Sequence, residues 1–340
     1  MTQELVRVDG LKKYFPIGRK SYTGKPGKTL KAVDGVSFAI GRGEIFGLVG
    51  ESGCGKSTLG RCLLRLAEPD EGRIAYEGRD ITHIKAGELA ALRRKLQIVF
   101  QNPFSSFNPR LTMRGTFTEI LKVHGLHKGG ETERIRQLFE MTGLLEDMLE
   151  RRSRELSGGQ LQRLAIARAL LLEPEFIVAD EPVSALDVSV QAQILNLLMD
   201  LKNKLGLTML FVSHDLTVVE HLCDRVAVMY LGRIVETAGA DELFDNMKHP
   251  YTKALMSAIP EASLERKRER IILEGDIPSA ADIPEGCRFA SRCPLRSDIC
   301  LKQDPPLREV SPGHQAACHF ASASGDGSWL ARDTVDLGHK

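Results

Sequence analysis

Hydrophobic residues fall in short runs whose period keeps changing, which is the pattern of strands alternating with helices. Val36, Phe38 and Ile40 alternate with the smaller Ser37 and Ala39 as on a half-buried strand, so residues 4–45 are expected to hold short β segments in an antiparallel subdomain. Glu44 to Val49 (EIFGLV) reads as a buried strand and Thr58 to Leu66 as the helix after it. A strand and turn follow at Gly72 to Tyr76 with Ile81, then a helix at Ala86 to Leu96 and a strand at Gln97 to Gln101. Pro103 and Pro109 forbid a continuous helix in NPFSSFNPR, and helical spacing resumes through Leu138 and Leu145. Leu156 to Leu172 is a strong helix opening on a Ser-Gly-Gly N-cap, so residues 102–170 read as an inserted helical subdomain. Strands at Phe176 to Ala179, Thr208 to Val212, Arg225 to Tyr230 and Arg233 to Thr237 then interleave with helices at Val188 to Leu205 and Leu216 to Leu222. Such alternation implies an α/β fold with a mostly parallel sheet.

Near residue 240 the character changes. Glu261 to Arg270 (EASLERKRER) reads as a charged helix or linker, residues 271–320 turn to Pro, Gly and Cys, and 321–340 read as a loose tail. The 340 residues are 42% hydrophobic, enough for a real core and about two domains or one domain with an appendage. Lys and Arg total 46 against 45 Asp and Glu, a net charge of +1, so no global field argues for nucleic acid or an anionic membrane. The Gly- and Lys-rich stretch from Pro16 to Lys31 reads as a solvated hairpin-like loop rather than a nucleic-acid patch. No signal-peptide pattern opens the chain and no apolar run reaches ~18 residues, so a cytosolic protein is expected, touching a membrane only through another protein.

The chemistry starts at Gly50-Glu51-Ser52-Gly53-Cys54-Gly55-Lys56-Ser57-Thr58, which fits the phosphate-binding pattern G-x-x-x-x-G-K-[ST] between strand and helix. Gly50, Gly53 and Gly55 let the backbone point successive N–H groups at phosphate oxygens, Lys56 neutralises charge, and the Ser57 hydroxyl suits Mg²⁺. Ser52, Cys54 and Thr58 complete the expected ATP-contacting set. Asp180 and Glu181 end another apolar strand, where one carboxylate can hold Mg²⁺ and the next orient water. His214, in FVSHD, ends a third. Tyr14 and Phe15 sit where an aromatic ring could stack on adenine, or simply pack in the core.

Together with Gln101, LSGGQ at 156–160 and SALD at 184–187, these motifs resemble the nucleotide-binding subunit of an ABC transporter over residues 4–240, the P-loop NTPase cassette. The resemblance implies Phe15 or Tyr14 on adenine, Gln101 sensing Mg²⁺ and the attacking water, Glu181 as catalytic base, and His214 at the γ-phosphate. It also implies a head-to-tail dimer in which Ser157, Gly158 and Gly159 clamp ATP held by the opposite cassette. QNPFSSFNPR at 101–110, HPYTKALMSAIP at 249–260 and GDIPSAADIPEGCRFASRCP at 275–294 are similar to ATPases of dipeptide and oligopeptide importers, and ESGCGKSTLGR at 51–61 to their second, F-type ATPase. Residues 241–320 would then be the importer-type C-terminal extension. The implied partners are a second ATPase in a heterodimer or homodimer, two integral permease subunits and an extracytoplasmic solute-binding protein, placing the chain at the cytoplasmic face of a bacterial inner membrane. Related importers carry nickel, glutathione, sugars or another small solute; the rival classes are a non-transport ABC ATPase and a redox protein centred on the cysteine cluster, for which no flavin or second-cofactor motif is present.

Four of the seven cysteines, Cys287, Cys293, Cys300 and Cys318, form C-x5-C-x6-C-x17-C. Four thiolates can hold tetrahedral Zn²⁺ or a [4Fe–4S] cluster, or stay unligated. The wide spacing together with the resemblance favours [4Fe–4S] in a small C-terminal lobe.

Overall fold

The computed structural model describes residues 3–17, 28–127, 129–258, 271–273, 275 and 278–322. The charged segment expected at 261–270, most of the Lys-rich loop and nearly all of the C-terminal tail lie outside these residues.

Two fourteen-residue strands, β1 (Glu4–Ile17) and β2 (Lys28–Gly41), pair antiparallel, with Val8 opposite Phe38 and Phe15 opposite Leu30. Short segments are expected from the sequence here; the ladder runs longer because register shifts, such as that between Val8 and Leu11, absorb extra residues without ending the pairing. The wholly buried β3 (Ile45–Val49) leads into α1 (Lys56–Leu63). Then β4 (Glu71–Tyr76) pairs with β1, and the two-residue β5 (Arg79–Asp80) completes a four-stranded antiparallel sheet. Next come α2 (Ala86–Lys95), β6 (Leu96–Val99), α3 (Met113–Val123), α4 (Glu131–Thr142) and α5 (Gly158–Leu170). The core resumes with β7 (Phe176–Asp180), α6 (Val188–Leu205), β8 (Thr208–Ser213), α7 (Leu216–Leu222), β9 (Arg225–Tyr230), β10 (Arg233–Gly239), α8 (Ala240–Asp245) and α9 (Pro250–Ser257). Nearer the C-terminus come α10 (Asp298–Lys302), β11 (Arg308–Ser311) and β12 (His314–Ala316).

The second sheet has eight strands in the order β11-β12-β10-β9-β3-β8-β7-β6, parallel from β9 to β6. Alternate residues of β3 serve its two faces. Ile45 and Val49 join a core with Phe117, Phe139 and Leu161 of the helical insertion, whereas Phe46 and Leu48 join one with Leu59 and Leu63 of α1 and the first sheet. Burial on both faces is why these central strands read as continuous apolar runs. The Cys-rich C-terminal region adds its strands to this same sheet, with Glu236 of β10 opposite Ala316 of β12. Val49 of β3 pairs with Ser213 of β8, and Asp180 of β7 with Val212 of β8. The loops leaving these three strand ends therefore meet, which is where an open parallel sheet places its ligands. Among the described residues no helix is long and apolar enough to cross a membrane.

Candidate functional site

The loop after β3 is shaped by glycines that nothing larger could replace. Gly55, at φ +111°, would place a Cβ 1.9 Å from the Ala32 carbonyl oxygen, and Gly50 one 2.2 Å from that of Met229. Lys56, only 4% exposed, folds back over the loop, its Nζ donating to the carbonyls of Gly50 at 2.7 Å and Glu51 at 3.0 Å. The cation is thus held inside the curl that α1 opens from.

Ser57 donates from Oγ to Asp180 Oδ1 at 2.7 Å, tying the loop to the end of β7. Burial raises the Asp180 pKa, outweighing the Ser57 hydrogen bond and the charges of Arg61 and Lys56, which lower it. Glu181 sits in the left-handed region at φ +47°, its N–H donating to Val212 O at 3.0 Å. Its Oε2 accepts from Gln101 Nε2 at 2.8 Å and lies 3.3 Å from His214 Nδ1. Gln101 also reaches Ser184 Oγ at 3.3 Å, a partner the sequence offered only as part of SALD. Phe15, Ser52, Gly53, Gly55, Lys56, Ser57, Thr58, Gln101, Glu181 and His214 all line one cavity of about 530 Å³, within the range of small-ligand sites. Gly50 and Asp180 support it from behind, and Cys54 is buried beside Lys56. A basic group, a hydroxyl, backbone N–H groups and a carboxylate held by two partners make a set suited to binding and hydrolysing a phosphate anhydride.

Of the two aromatic candidates, Phe15 lines the cavity, while the Tyr14 hydroxyl donates to Asp34 away from it. Ser157, Gly158 and Gly159 are not part of this cavity. Ser157 is exposed and caps α5 in a reciprocal box, its Oγ accepting from the Gln160 N–H at 3.3 Å and its own N–H donating to Gln160 Oε1 at 2.9 Å.

Cys287, Cys293, Cys300 and Cys318 do gather, all four lining an apolar pocket beside Phe289. The pocket's free space is about 10 Å³, roughly one water. Burial pushes the Cys287 thiol up to about 11 and Cys293 up to about 12, and raises Cys318. Among the described residues no group of three or more His, Cys, Asp or Glu side chains is placed to hold a metal ion. Four gathered thiols have the donor chemistry for a metal, but beyond that gathering nothing among the described residues supports the expected [4Fe–4S] or Zn²⁺ centre.

A family profile described as ABC transporter matches residues 33–184, and one described as oligopeptide/dipeptide transporter, C-terminal region, matches 235–300. The oligopeptide transport ATP-binding protein AppF of Bacillus subtilis is 48% identical over 324 residues, covering 94% of this chain and 98% of AppF. A Brucella ovis protein named for peptide import is 55% identical over 291 residues, 85% of this chain and 92% of that protein. Among solved structures, the dimeric bacterial ABC transporter cassette MJ0796 is similar with a TM-score of 0.61 and 28% identity, over 69% of this chain and 99% of the cassette. Shared motifs, end-to-end similarity and common fold lead to one statement: this chain belongs to the ABC transporter ATP-binding proteins, in the branch that carries the oligopeptide/dipeptide transporter C-terminal region.

Proposed function

We propose that the chain is the ATP-hydrolysing subunit of an importer of dipeptides or oligopeptides, and that two cassettes closing on ATP drive a membrane permease. The observation that carries this reading is the single cavity shared by Lys56, Ser57, Gln101, Glu181 and His214, in a chain with an importer-type C-terminal region. ATP enters with its phosphates against the loop N–H groups and its adenine toward Phe15. Lys56 exchanges its two carbonyl partners for phosphate oxygens. When bound, Mg²⁺ would supply positive charge against the phosphates, and Ser57 and Asp180, with Gln101, are the residues that would hold it. Glu181 orients a water toward the γ-phosphorus and accepts its proton as the bond to the β-phosphate oxygen breaks, while His214 and Gln101 fix the carboxylate.

The exposed N-terminus of α5, with Ser157, Gly158 and Gly159, would meet the ATP of the opposite cassette, where backbone N–H groups and the helix dipole favour an anion. In this reading the partners are a second ATPase, in a heterodimer or a homodimer, two permease subunits and a solute-binding protein, with the chain peripheral on the cytoplasmic face of the inner membrane. The cassette spans 4–240 and the extension 241–320. The peptide names carried by the relatives favour peptides over nickel, glutathione or a non-transport role. The gathering of Cys287, Cys293, Cys300 and Cys318 on one pocket also supports the reading that, once deprotonated, these four thiols would hold a metal centre in the extension. The test of the main reading is phosphate release from Mg-ATP by the purified chain with its co-purifying partners. Lys56→Ala should abolish it, and a wild type without ATPase activity would overturn the reading.

A further inference from the structure

We propose that Arg292 and Tyr251, both outside the cassette, are positioning residues for the phosphate-binding loop and act through Glu51. Glu51 is held at four of its atoms by three side chains. Its N–H donates to the Tyr251 hydroxyl oxygen at 2.9 Å. Its carboxylate accepts two bonds from Arg292, Nη1 to Oε2 at 2.8 Å and Nη2 to Oε1 at 3.0 Å. Its carbonyl accepts from Lys56 Nζ at 3.0 Å. Two of the three anchors come from residues 200 and 241 positions away in the chain.

These anchors are stiff. The Arg292 side chain is 8% exposed and that of Glu51 20%, so the pair is shielded from water, and a bidentate guanidinium–carboxylate pair fixes orientation as well as distance. Tyr251 is fully buried, its ring 4.6 Å from that of Tyr230 and 5.5 Å from that of Phe289, which leaves its hydroxyl a single direction. The extension also reaches β2, where the Lys31 N–H donates to Ala280 O at 3.1 Å. Glu51 itself does not line the nucleotide cavity, so its carboxylate is free to serve the extension while its backbone serves the loop. A loop pinned in this way has its N–H groups aimed before ATP arrives; an unpinned loop must be ordered at the expense of binding.

The inference rests on reading this loop as the ATP site. It is tested on the full-length protein by binding of a fluorescent ATP analogue together with KM and kcat for phosphate release. Arg292→Ala and Glu51→Ala should each raise Kd and KM about tenfold while kcat falls less than about threefold, and the double variant should be no worse than either single one. Exchanging the charges, Glu51→Arg with Arg292→Glu, should recover most of the loss. Tyr251→Phe removes only the hydroxyl, keeps the buried ring, and should raise Kd several-fold. Unchanged Kd in Arg292→Ala and Tyr251→Phe, or additive losses with no recovery on charge exchange, would overturn the inference. A wild type that binds no analogue would instead remove the ATP reading on which it stands.

Discussion

Replacing Glu181 by Gln isolates the one group assigned to water activation. The amide has the shape of the carboxylate, so the 2.8 Å bond from Gln101 Nε2 can still be accepted by the new side-chain oxygen. The left-handed backbone at φ +47° suits Gln no worse than Glu, so no new strain arises at the end of β7. What goes is the negative charge and the ability to take a proton. General-base contributions are worth about 10²- to 10⁴-fold, and at about 1.4 kcal/mol per decade the barrier should rise by about 3 to 5 kcal/mol. ATP affinity should hold or improve, since a like charge beside the triphosphate has been removed. Phosphate release gives kcat, analogue binding gives Kd, and light scattering with ATP should show a stable dimer. A kcat within about threefold of wild type, with normal binding, would refute the assignment.

Gly55→Ala should cost stability and ATP binding together, because its Cβ would sit 1.9 Å from Ala32 O and 2.9 Å from Met229 Cε on a left-handed backbone; a loss of about 3 kcal/mol or more is expected in denaturant unfolding, and a wild-type midpoint would contradict the loop geometry. His249 is buried and burial lowers its pKa to about 4, so the unfolded chain binds the extra proton between about 6.5 and 4 and stability should fall as pH drops through that window, by up to about 3 kcal/mol. His249→Asn keeps an acceptor for the Tyr251 N–H and should flatten that part of the curve; equal pH dependence in both proteins would rule it out. Anaerobically purified protein should carry iron with acid-labile sulfide, or one zinc, that Cys300→Ser lowers if the metal-loaded form exists; four freely alkylated thiols and no metal would end that reading.

Much of the site was legible because its parts are local. Strand, glycine-rich turn and helix follow one another within Ile45 to Leu63, and apolar runs ending in Asp180 or Ser213 announce strand ends. The motif set also placed Gln101, Glu181 and His214 together, although the contact between Gln101 and Glu181 spans 80 positions. Less was legible where tertiary context decides. REVS and HQA in β11 and β12 lack an alternating apolar pattern and are strands because β10 offers β12 an edge and β12 in turn offers one to β11. The pairs Arg292–Glu51 and Arg288–Asp34 join the extension to the first half of the chain, and a single charge carries no period by which such a partner could be read. Four cysteines at wide spacing predicted a metal centre, and the fold brings all four to one pocket beside Phe289, a convergence their spacing alone could not show.

Whether ATP hydrolysis at this cavity drives peptide import is tested most directly by uptake of a labelled tripeptide by liposomes containing the chain and the integral membrane proteins that co-purify with it. ATP-dependent uptake with the wild type, absent with Glu181→Gln although ATP still binds, is the predicted result; uptake undiminished in Glu181→Gln, or ATP hydrolysis that continues without any peptide accumulation, would contradict it.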